Sequence, residues 1–418
     1  MLNYQKEVFN NGIRLLTEEV PHVRSVSLGI WVQVGSRDED PEISGISHFI
    51  EHMLFKGTEK RSAKDIAESL EAVGGQLNAF TTKEYTCFYI RLLDEHLDLG
   101  LDVLSDMFFN SLFNPKEIDT ERNVVLEEIK MYEDSPDEII HDLFARTAWK
   151  GHPLGRPILG SVDAINVIDE SKIREYFSRY YCPSNTIISA AGRIDQEILN
   201  QKLRRVFEGW EQPRKPNHYH SPLFQSSVLA QKKDTEQVQI CLGVPGLKQS
   251  DDRIYELYVL NNVLGGGVSS RLFQEVREQR GLAYSVYSYH SSYRDSGLFC
   301  VYACTSPRNR DEVIRLVIDE LQSIKTSGIT PEELKRSQDQ IKGNIYLGME
   351  SVSNRMTRLG KSEIYHDRVI DPDEVIEKVS RVTRDQVTAL AEQMIRPEKM
   401  VLTTIGPEQA PAVLEDYF

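Results

Sequence analysis

Alternating apolar and polar positions divide the first half of the chain into strands and helices. Two alternating runs flank the turn Asn10-Asn11-Gly12, SVSLGIWVQVG (25–35) follows as a third strand, and QLNAF and YTCFYIRLL are predicted as later strands. Helices are predicted to start at Ser62, at Asn114-Pro115 and at Ser171, where cap residues precede apolar positions at helical spacing. This order predicts an α+β domain in which helices flank a mixed sheet.

The middle of the chain has the features of a linker. EQPRKPNHYHSPLF (211–224) contains three prolines and no apolar periodicity. We therefore predict an N-terminal α+β domain over residues 1–210, a linker over 211–225 and a C-terminal α+β domain over 226–418. After the linker the pattern repeats, with strands in VQICLGV, LAYSVYSYHSSY and GLFCVYACTS and helices in YELYVLNNVL and SSRLFQEVREQ. The two halves are therefore predicted to be related by duplication.

Charge and composition narrow the classes of function. The 418 residues carry a formal net charge of -15, which disfavours nucleic acid and anionic membranes as partners. The five cysteines are an odd number without a CxxC pair, so we expect reduced, buried thiols rather than disulfides or a thiolate metal site. The start is not leader-like and no apolar run approaches about eighteen residues, so the sequence predicts a cytoplasmic protein.

The segment HFIEHMLFKGT (48–58) carries the candidate chemistry. In a helix, His48 and His52 stand at i and i+4, project from one face, and can share one zinc ion. Glu51 lies beside them and can hold a water instead of binding the metal. The alternative is an amphipathic helix whose histidines face solvent. The neighbouring residues argue against it, because buried histidines without partners are costly and the segment is mostly apolar: Phe49, Ile50, Met53, Leu54 and Phe55.

A catalytic zinc needs a third protein ligand and an open position for water. The candidates are His96, His141, His152 and the acidic helix ERNVVLEEIKMYE, in which Glu121 and Glu128 are seven residues apart and share a face. Spacing alone does not choose among them.

HFIEH followed by Glu128 in ERNVVLEEI resembles the inverzincin motif of the pitrilysin or insulinase type (M16) zinc metallopeptidases. The resemblance is strongest to bacterial members of the mitochondrial-processing-peptidase-like branch. It extends over the chain, since the family has its own versions of four further segments: GHPLG (151–155), SNTIISAAGRID (184–195), LGGGVSSRL (264–272) and REQRGLAY (277–284). The glycines of LGGGVSSRL resemble a flexible loop of the noncatalytic processing-peptidase subunit, although they could equally end a helix.

The resemblance implies a role for each residue of the metal site. His48, His52 and Glu128 would bind one zinc ion per chain, Glu51 would be the general base, and Glu121 would support the ligands from behind. In the second half, the aligned positions are Tyr258, Asn261 and Asn262, so that copy is expected to bind no metal.

The resemblance also implies where substrate binds. QLNAF would be an edge strand that pairs with the substrate backbone through Asn78, Ala79 and Phe80. Arg277 and Tyr284 would grip the substrate and steady the oxyanion. Without the resemblance, an interior strand, a surface arginine and a core tyrosine are the simpler interpretations.

We expect a zinc metalloendopeptidase that cleaves extended peptides or unstructured segments. Family members twice as long place the Arg/Tyr pair opposite the zinc, which implies a homodimer that encloses a chamber and shares its active sites in trans. The alternatives are a noncatalytic scaffold similar to respiratory-complex core proteins, which typically lose motif residues, and a metal-dependent hydrolase of a non-peptide bond.

Overall fold

The structure of the protein is a computed structural model that describes residues 4–213 and 219–407. Part of the predicted linker, 214–218, lies outside the described residues. The described residues form two compact units, the first from 4–130, 156–213 and 347–371, and the second from 131–155, 219–346 and 372–407. The units therefore depart from the boundaries predicted at 210 and 226, because each unit includes a helical segment from the other half of the sequence.

Each predicted strand is present, and the structure adds two strands that the sequence did not predict, Ser227–Lys232 and Val401–Gly406. The strands in chain order are β1 (Tyr4–Val8), β2 (Arg14–Glu19), β3 (Ser25–Val32), β4 (Gln76–Thr81), β5 (Thr86–Leu93), β6 (Thr186–Gly192), β7 (Ser227–Lys232), β8 (Val238–Pro245), β9 (Ala283–Ser292), β10 (Gly297–Thr305) and β11 (Val401–Gly406).

The α-helices are more numerous than the predicted ones. They are α1 (Ile46–Leu54), α2 (Ala63–Glu71), α3 (Leu97–Asn110), α4 (Pro115–Glu133), α5 (Pro136–Ala148), α6 (Val162–Asn166), α7 (Glu170–Tyr180), α8 (Gln196–Phe207), α9 (Ile254–Gly265), α10 (Arg310–Ser327), α11 (Pro331–Gly348), α12 (Val352–His366), α13 (Pro372–Arg381) and α14 (Arg384–Met394). No helix within the described ranges is long and apolar enough to span a bilayer.

The two sheets share a strand order over five strands, which is the clearest trace of duplication, and the first sheet has β1 as an additional edge strand. The first sheet runs β1-β2-β6-β3-β5-β4, and the second runs β7-β11-β8-β10-β9. In the first sheet β2 pairs in parallel with β6, and in the second β7 pairs in parallel with β11. The remaining strand pairs are antiparallel. The predicted α+β class, with two related sheets flanked by helices, is confirmed.

Each sheet buries both of its faces. In the first unit, helices including α1 and α3 cover one face, and α12 packs its Met356 and Leu359 against Trp31 on the other. In the second unit, α9, α10 and α14 cover one face, and α5 packs its Phe144 over the other. The helices α12 and α5 are the segments that each unit takes from the other half of the sequence. All five cysteines are buried and unpaired, as predicted.

Two sequence predictions need correction. Ser171 does not cap its helix, because Asp169 takes that position and accepts the Lys172 N–H at 2.9 Å, while the Ser171 hydroxyl bonds to Asp169. The helix predicted over 269–279 is a π-helix over Phe273–Gln279, wider than an α-helix. By contrast, Ser62 caps α2 with Asp65 in a capping box, as predicted.

The glycine run of LGGGVSSRL ends helix α9. Gly265 is the last helical residue and Gly266 is its C-cap. A Cβ on Gly265 would lie 2.2 Å from the backbone nitrogen of Ser288 in β9, so the glycine is required for the close approach of helix and strand. The run therefore coincides with the end of α9, and Gly265 is needed there for packing against β9.

Candidate metal centre

Helix α1 positions both histidines because its apolar side chains leave it little freedom. Phe49, Ile50, Met53 and Leu54 are each at most 1% exposed in the core of the first unit. With that face buried, His48 and His52 project together from the same side, and their rings meet edge to face with centroids 4.5 Å apart. The predicted i and i+4 arrangement is present.

Helix α4 brings the third candidate ligand to the histidines. One ligand atom each from His48, His52 and Glu128 lie within 4.8 Å of one another, and no other such group of three occurs in the part of the chain that the structure describes. The two Nε2 atoms are 3.1 Å apart, and each lies 3.8 Å from an oxygen of Glu128.

These separations fit a tetrahedral zinc ion. Zinc bonds of about 2.0–2.2 Å to nitrogen and oxygen place neighbouring ligand atoms roughly 3.4 Å apart, between the observed 3.1 Å and 3.8 Å. Burial lowers the pKa of His48 to about 3, and His52 adds to the effect, so the ring stays neutral as a ligand must. One buried oxygen of Glu128 makes no hydrogen bond within the described residues. A cation between the three side chains would satisfy it.

Glu121 holds His52 from behind. Its carboxylate accepts from the His52 Nδ1 at 2.7 Å, which favours the tautomer whose Nε2 is free for a metal. Lys56, one turn further along, contacts the other carboxylate oxygen. Burial acts to raise the pKa of Glu121, but the hydrogen bonds from His52 and Lys56 outweigh it and bring this pKa below its usual value. Glu121 is thus kept as a carboxylate that supports the ligand.

Glu51 lies beside the ligand group without belonging to it. Its Oε2 accepts a hydrogen bond of 2.5 Å from the Thr81 hydroxyl at the end of β4. Burial raises the pKa of Glu51, although the bond from Thr81 and the nearby His52 act against the shift. A carboxylate with a raised pKa next to a metal site is suited to exchanging a proton with a bound water.

Strand β4 is an edge strand, as the resemblance implied. It pairs with β5 alone, so its other side has no partner strand among the described residues. Asn78 is exposed, and its side-chain oxygen accepts the N–H of Ala79 at 2.8 Å. Phe80 is partly buried and packs edge-on against Trp31, with ring centroids 5.7 Å apart. The interior-strand interpretation is therefore wrong.

Arg277 and Tyr284 are neighbours in the second unit. The guanidinium of Arg277 lies 4.9 Å from the ring centre of Tyr284 and 4.7 Å from that of Phe273. Tyr284 is 76% exposed at the start of β9, so it is not a core residue. The structure brings this pair together on the surface of its unit.

The other candidates for a third ligand have different surroundings. His141 bonds to the Tyr289 hydroxyl at 2.8 Å inside the second unit, and His152 bonds to the carbonyl of His220 at 2.9 Å. His96 lies 3.7 Å from Glu95. None of the three belongs to the ligand group, which favours Glu128.

Sequence reasoning missed Thr81 and Lys56. Thr81 directly follows Phe80 in the predicted edge strand, and Lys56 stands one turn after His52, at the spacing that reaches Glu121. Helical spacing would have suggested Lys56. The bond from Thr81 to Glu51 depends on how β4 packs against α1, which no local pattern indicates.

Comparison with known proteins finds peptidase family patterns and relatives named as zinc proteases. A family pattern described as Insulinase (Peptidase family M16) matches residues 14–162, which include the whole ligand group, and a pattern described as Peptidase M16 inactive domain matches residues 168–341. An uncharacterized zinc protease of Bacillus subtilis, YmxG, is 47% identical over 95% of this chain and 97% of its own length. One from Streptomyces coelicolor is 43% identical over 96% of this chain and 89% of its own length.

Solved structures share the fold at low sequence identity. A peptidase M16 inactive domain from Pseudomonas fluorescens superposes with a TM-score of 0.92 at 20% identity, covering 98% of this chain and 99% of that one. A protease from Helicobacter pylori superposes with a TM-score of 0.91 at 21% identity, covering 97% of this chain and 100% of that one.

Proposed function

The chain belongs to the insulinase family of peptidases, M16, and on that premise we propose that it is a zinc metalloendopeptidase of extended peptides or unstructured segments. The observation that carries the proposal is the ligand group of His48, His52 and Glu128, with the carboxylate of Glu51 beside it. These three side chains would hold one zinc ion per chain. The buried free cysteines favour a reducing compartment, and we place the protein in the cytoplasm.

Glu51 would move the proton in this reaction. When bound, zinc would acidify a water molecule and polarise the scissile carbonyl. Glu51 would accept a proton from the attacking water as the water oxygen bonds to the carbonyl carbon, and would deliver that proton to the amine as the C–N bond breaks. Thr81 holds one oxygen of Glu51 by its 2.5 Å hydrogen bond, which leaves the other oxygen for the proton.

The edge strand β4 would bind the substrate backbone. An extended peptide can add to the unpaired side of β4 by main-chain hydrogen bonds, a mode that tolerates many sequences. Ala79 offers one N–H there once the side chain of Asn78 rotates away from it. Phe80 then lies next in the strand, beside Thr81 and Glu51.

This mode of binding predicts selection for unfolded substrates. A stable folded domain has few free extended segments, so flexible peptides should be cut while a stable folded protein in the same mixture stays intact. Mass spectrometry of a mixture of peptides graded in length and one stable folded protein measures the cleavage of the peptides and of the folded protein together. A destabilised variant of that folded protein is the matched control and should be degraded. Equal rates for the stable and destabilised proteins would contradict the proposal.

We propose further that two copies of the chain share their active sites. In this homodimer, the zinc residues of one copy would face Arg277 and Tyr284 of the other across a chamber. The exposure of Tyr284 and its contact with Arg277 support a pair that acts on a partner rather than in its own core. Arg277 would grip the substrate, and the Tyr284 hydroxyl would donate to the oxyanion.

Subunit mixing tests the shared site. Arg277→Ala should weaken use of substrate by about ten- to a hundred-fold, because a charge-assisted contact contributes about 1.5–3 kcal/mol. Mixing Glu51→Gln protein with Arg277→Ala protein should restore activity, because the heterodimer contains one site with both residues intact. Arg280→Ala, an exposed neighbour, should keep activity by itself. If heterodimers form and activity stays at the level of the parents, the shared site is excluded.

The alternative is a noncatalytic scaffold. The description of the second family pattern as an inactive domain is compatible with it. That pattern, however, begins after the ligand group, which is complete in this chain. Metal analysis of the purified protein together with a peptide assay separates the two, since a scaffold would cleave nothing even when loaded with zinc.

A further inference from the structure

The start of helix α1 is held by a buried carboxylate from outside the helix. The N-cap residue is Gly45, which has no side chain to cap the helix and adopts φ 98°. Glu39 takes over this role. Its Oε2 accepts the N–H of Gly45 at 2.7 Å, and its Oε1 accepts the N–H of Ser47 at 2.9 Å. Glu39 is only 3% exposed.

We propose that Glu39 is a positioning residue for the metal site, which sets the place and rotation of helix α1 and thereby of His48 and His52. This inference rests on the proposed function only in taking the ligand group as a zinc site. Ser47 directly precedes His48, so a bond that fixes the Ser47 N–H also fixes the backbone from which the first ligand projects. Both oxygens of Glu39 are occupied, so the carboxylate cannot turn without losing one bond.

The start of helix α1 is closely packed against neighbouring backbone. A Cβ on Gly45 would lie 2.6 Å from the carbonyl of Leu159, and one on Gly160 would lie 2.0 Å from the carbonyl of Ser44, so two backbone segments are in close contact there. The hydroxyl of Ser47 lies 2.9 Å from that of Tyr176. Because Glu39 is buried, its loss would leave the N–H groups of Gly45 and Ser47 buried without their acceptor, which should disturb the start of the helix.

Glu39 is itself fixed by a cation and by the chain around it. Arg156 donates to the Glu39 carbonyl at 2.6 Å, and its charge favours the carboxylate. Burial raises the pKa of Glu39 to about 7, against the lowering by the two N–H groups and by Arg156. Burying a carboxylate costs free energy unless hydrogen bonds and a nearby positive charge compensate, as the two N–H groups and Arg156 do here. The positive end of the helix dipole also favours a negative charge at this point.

Zinc affinity tests this role without using activity. Glu39→Gln keeps the shape but presents an NH₂ group to one of the two N–H donors. We expect zinc affinity, measured by competition with a chelator, to fall by about ten-fold or more, within the roughly 10–100-fold range for lost supporting partners of metal ligands. In Co²⁺-loaded protein, the visible absorption bands should shift, because they report ligand geometry.

The matched control is Glu18→Gln. Glu18 is a buried glutamate of the same unit, 1% exposed, whose oxygens accept from Arg355 and Arg358 rather than from helix α1. The Glu18→Gln substitution should lower the midpoint temperature of unfolding but leave the zinc affinity and the Co²⁺ spectrum unchanged. If Glu39→Gln fails to fold, Glu39→Asp, which keeps the charge and shortens the reach, should show the same loss. Unchanged affinity and spectrum in the folded Glu39 variant, or an equal change in Glu18→Gln, would overturn the role. Zinc binding without any peptidase activity would instead overturn the proposed function and leave this one standing.

Discussion

Replacing Glu51 by glutamine should abolish peptide cleavage while leaving the zinc in place. The amide can still accept the hydrogen bond from Thr81, so the side chain should keep its position. It cannot take up a proton from water, and loss of a general base typically costs about 10²–10⁴-fold in rate. The measurement is the turnover of an unstructured peptide beside the zinc content of the same preparation.

Zinc retention is what makes this result specific. Glu51 contributes no atom to the ligand group, so the content should stay at that of the unaltered protein. Glu59→Gln, at an exposed glutamate a short distance further along the chain, should change neither quantity. Normal turnover by Glu51→Gln would remove Glu51 as the base, and loss of zinc would make it a ligand instead.

The parts of the site that the sequence predicts are those set by helical spacing. His48 and His52 share a face because they are four residues apart, and Glu121 and Glu128 share a face of α4 because they are seven apart. Spacing did not choose between the two glutamates. The structure distinguishes them by position, since Glu121 bonds to the Nδ1 of His52 whereas Glu128 lies near the Nε2 atoms of both histidines.

The parts that the sequence does not predict depend on contacts between distant segments. Thr81 donates a hydrogen bond to Glu51, 30 residues away in the sequence. Glu39 accepts the N–H of Gly45 at the start of α1, six residues further along, a spacing that no capping motif would suggest. Helix α12 joins the first unit although it lies far along the sequence, where Arg355 and Arg358 meet the buried Glu18. Such pairings follow from chain topology, and no periodic pattern encodes them.

The duplicated fold places the same pair of elements in both units, with different side chains between them. Strand β9 lies at the edge of the second sheet as β4 does in the first, and α9 contacts β9 as α1 contacts β4. There, Tyr258 of α9 stacks on His290 of β9, with ring centroids 5.2 Å apart. In the first unit, the corresponding pair of elements contributes Glu51 and Thr81. The same packing of helix on edge strand thus holds an aromatic contact in one copy and a hydrogen-bonded carboxylate in the other.

Removing the Glu128 carboxylate should empty the metal site. Glu128→Ala leaves two imidazoles, one ligand short of the three that a catalytic zinc requires. We expect zinc affinity to fall by more than the roughly 10–100-fold that loss of a supporting partner costs, and activity to disappear with the metal. Dialysis against a weak chelator, followed by metal analysis, measures the loss.

Two further variants on the same helix decide whether Glu128 is the ligand. Glu121→Gln removes only the charge that supports His52, so its affinity should fall to an intermediate value. Glu127 precedes Glu128 and is exposed, where it pairs with Lys130. The Glu127→Ala protein should therefore bind zinc as the unaltered protein does. From highest to lowest zinc affinity, the expected order of the variants is therefore Glu127→Ala, Glu121→Gln and Glu128→Ala. If Glu121→Gln lost the metal and Glu128→Ala kept it, the third ligand would be Glu121, and the open position for water would face a different side of the histidine pair.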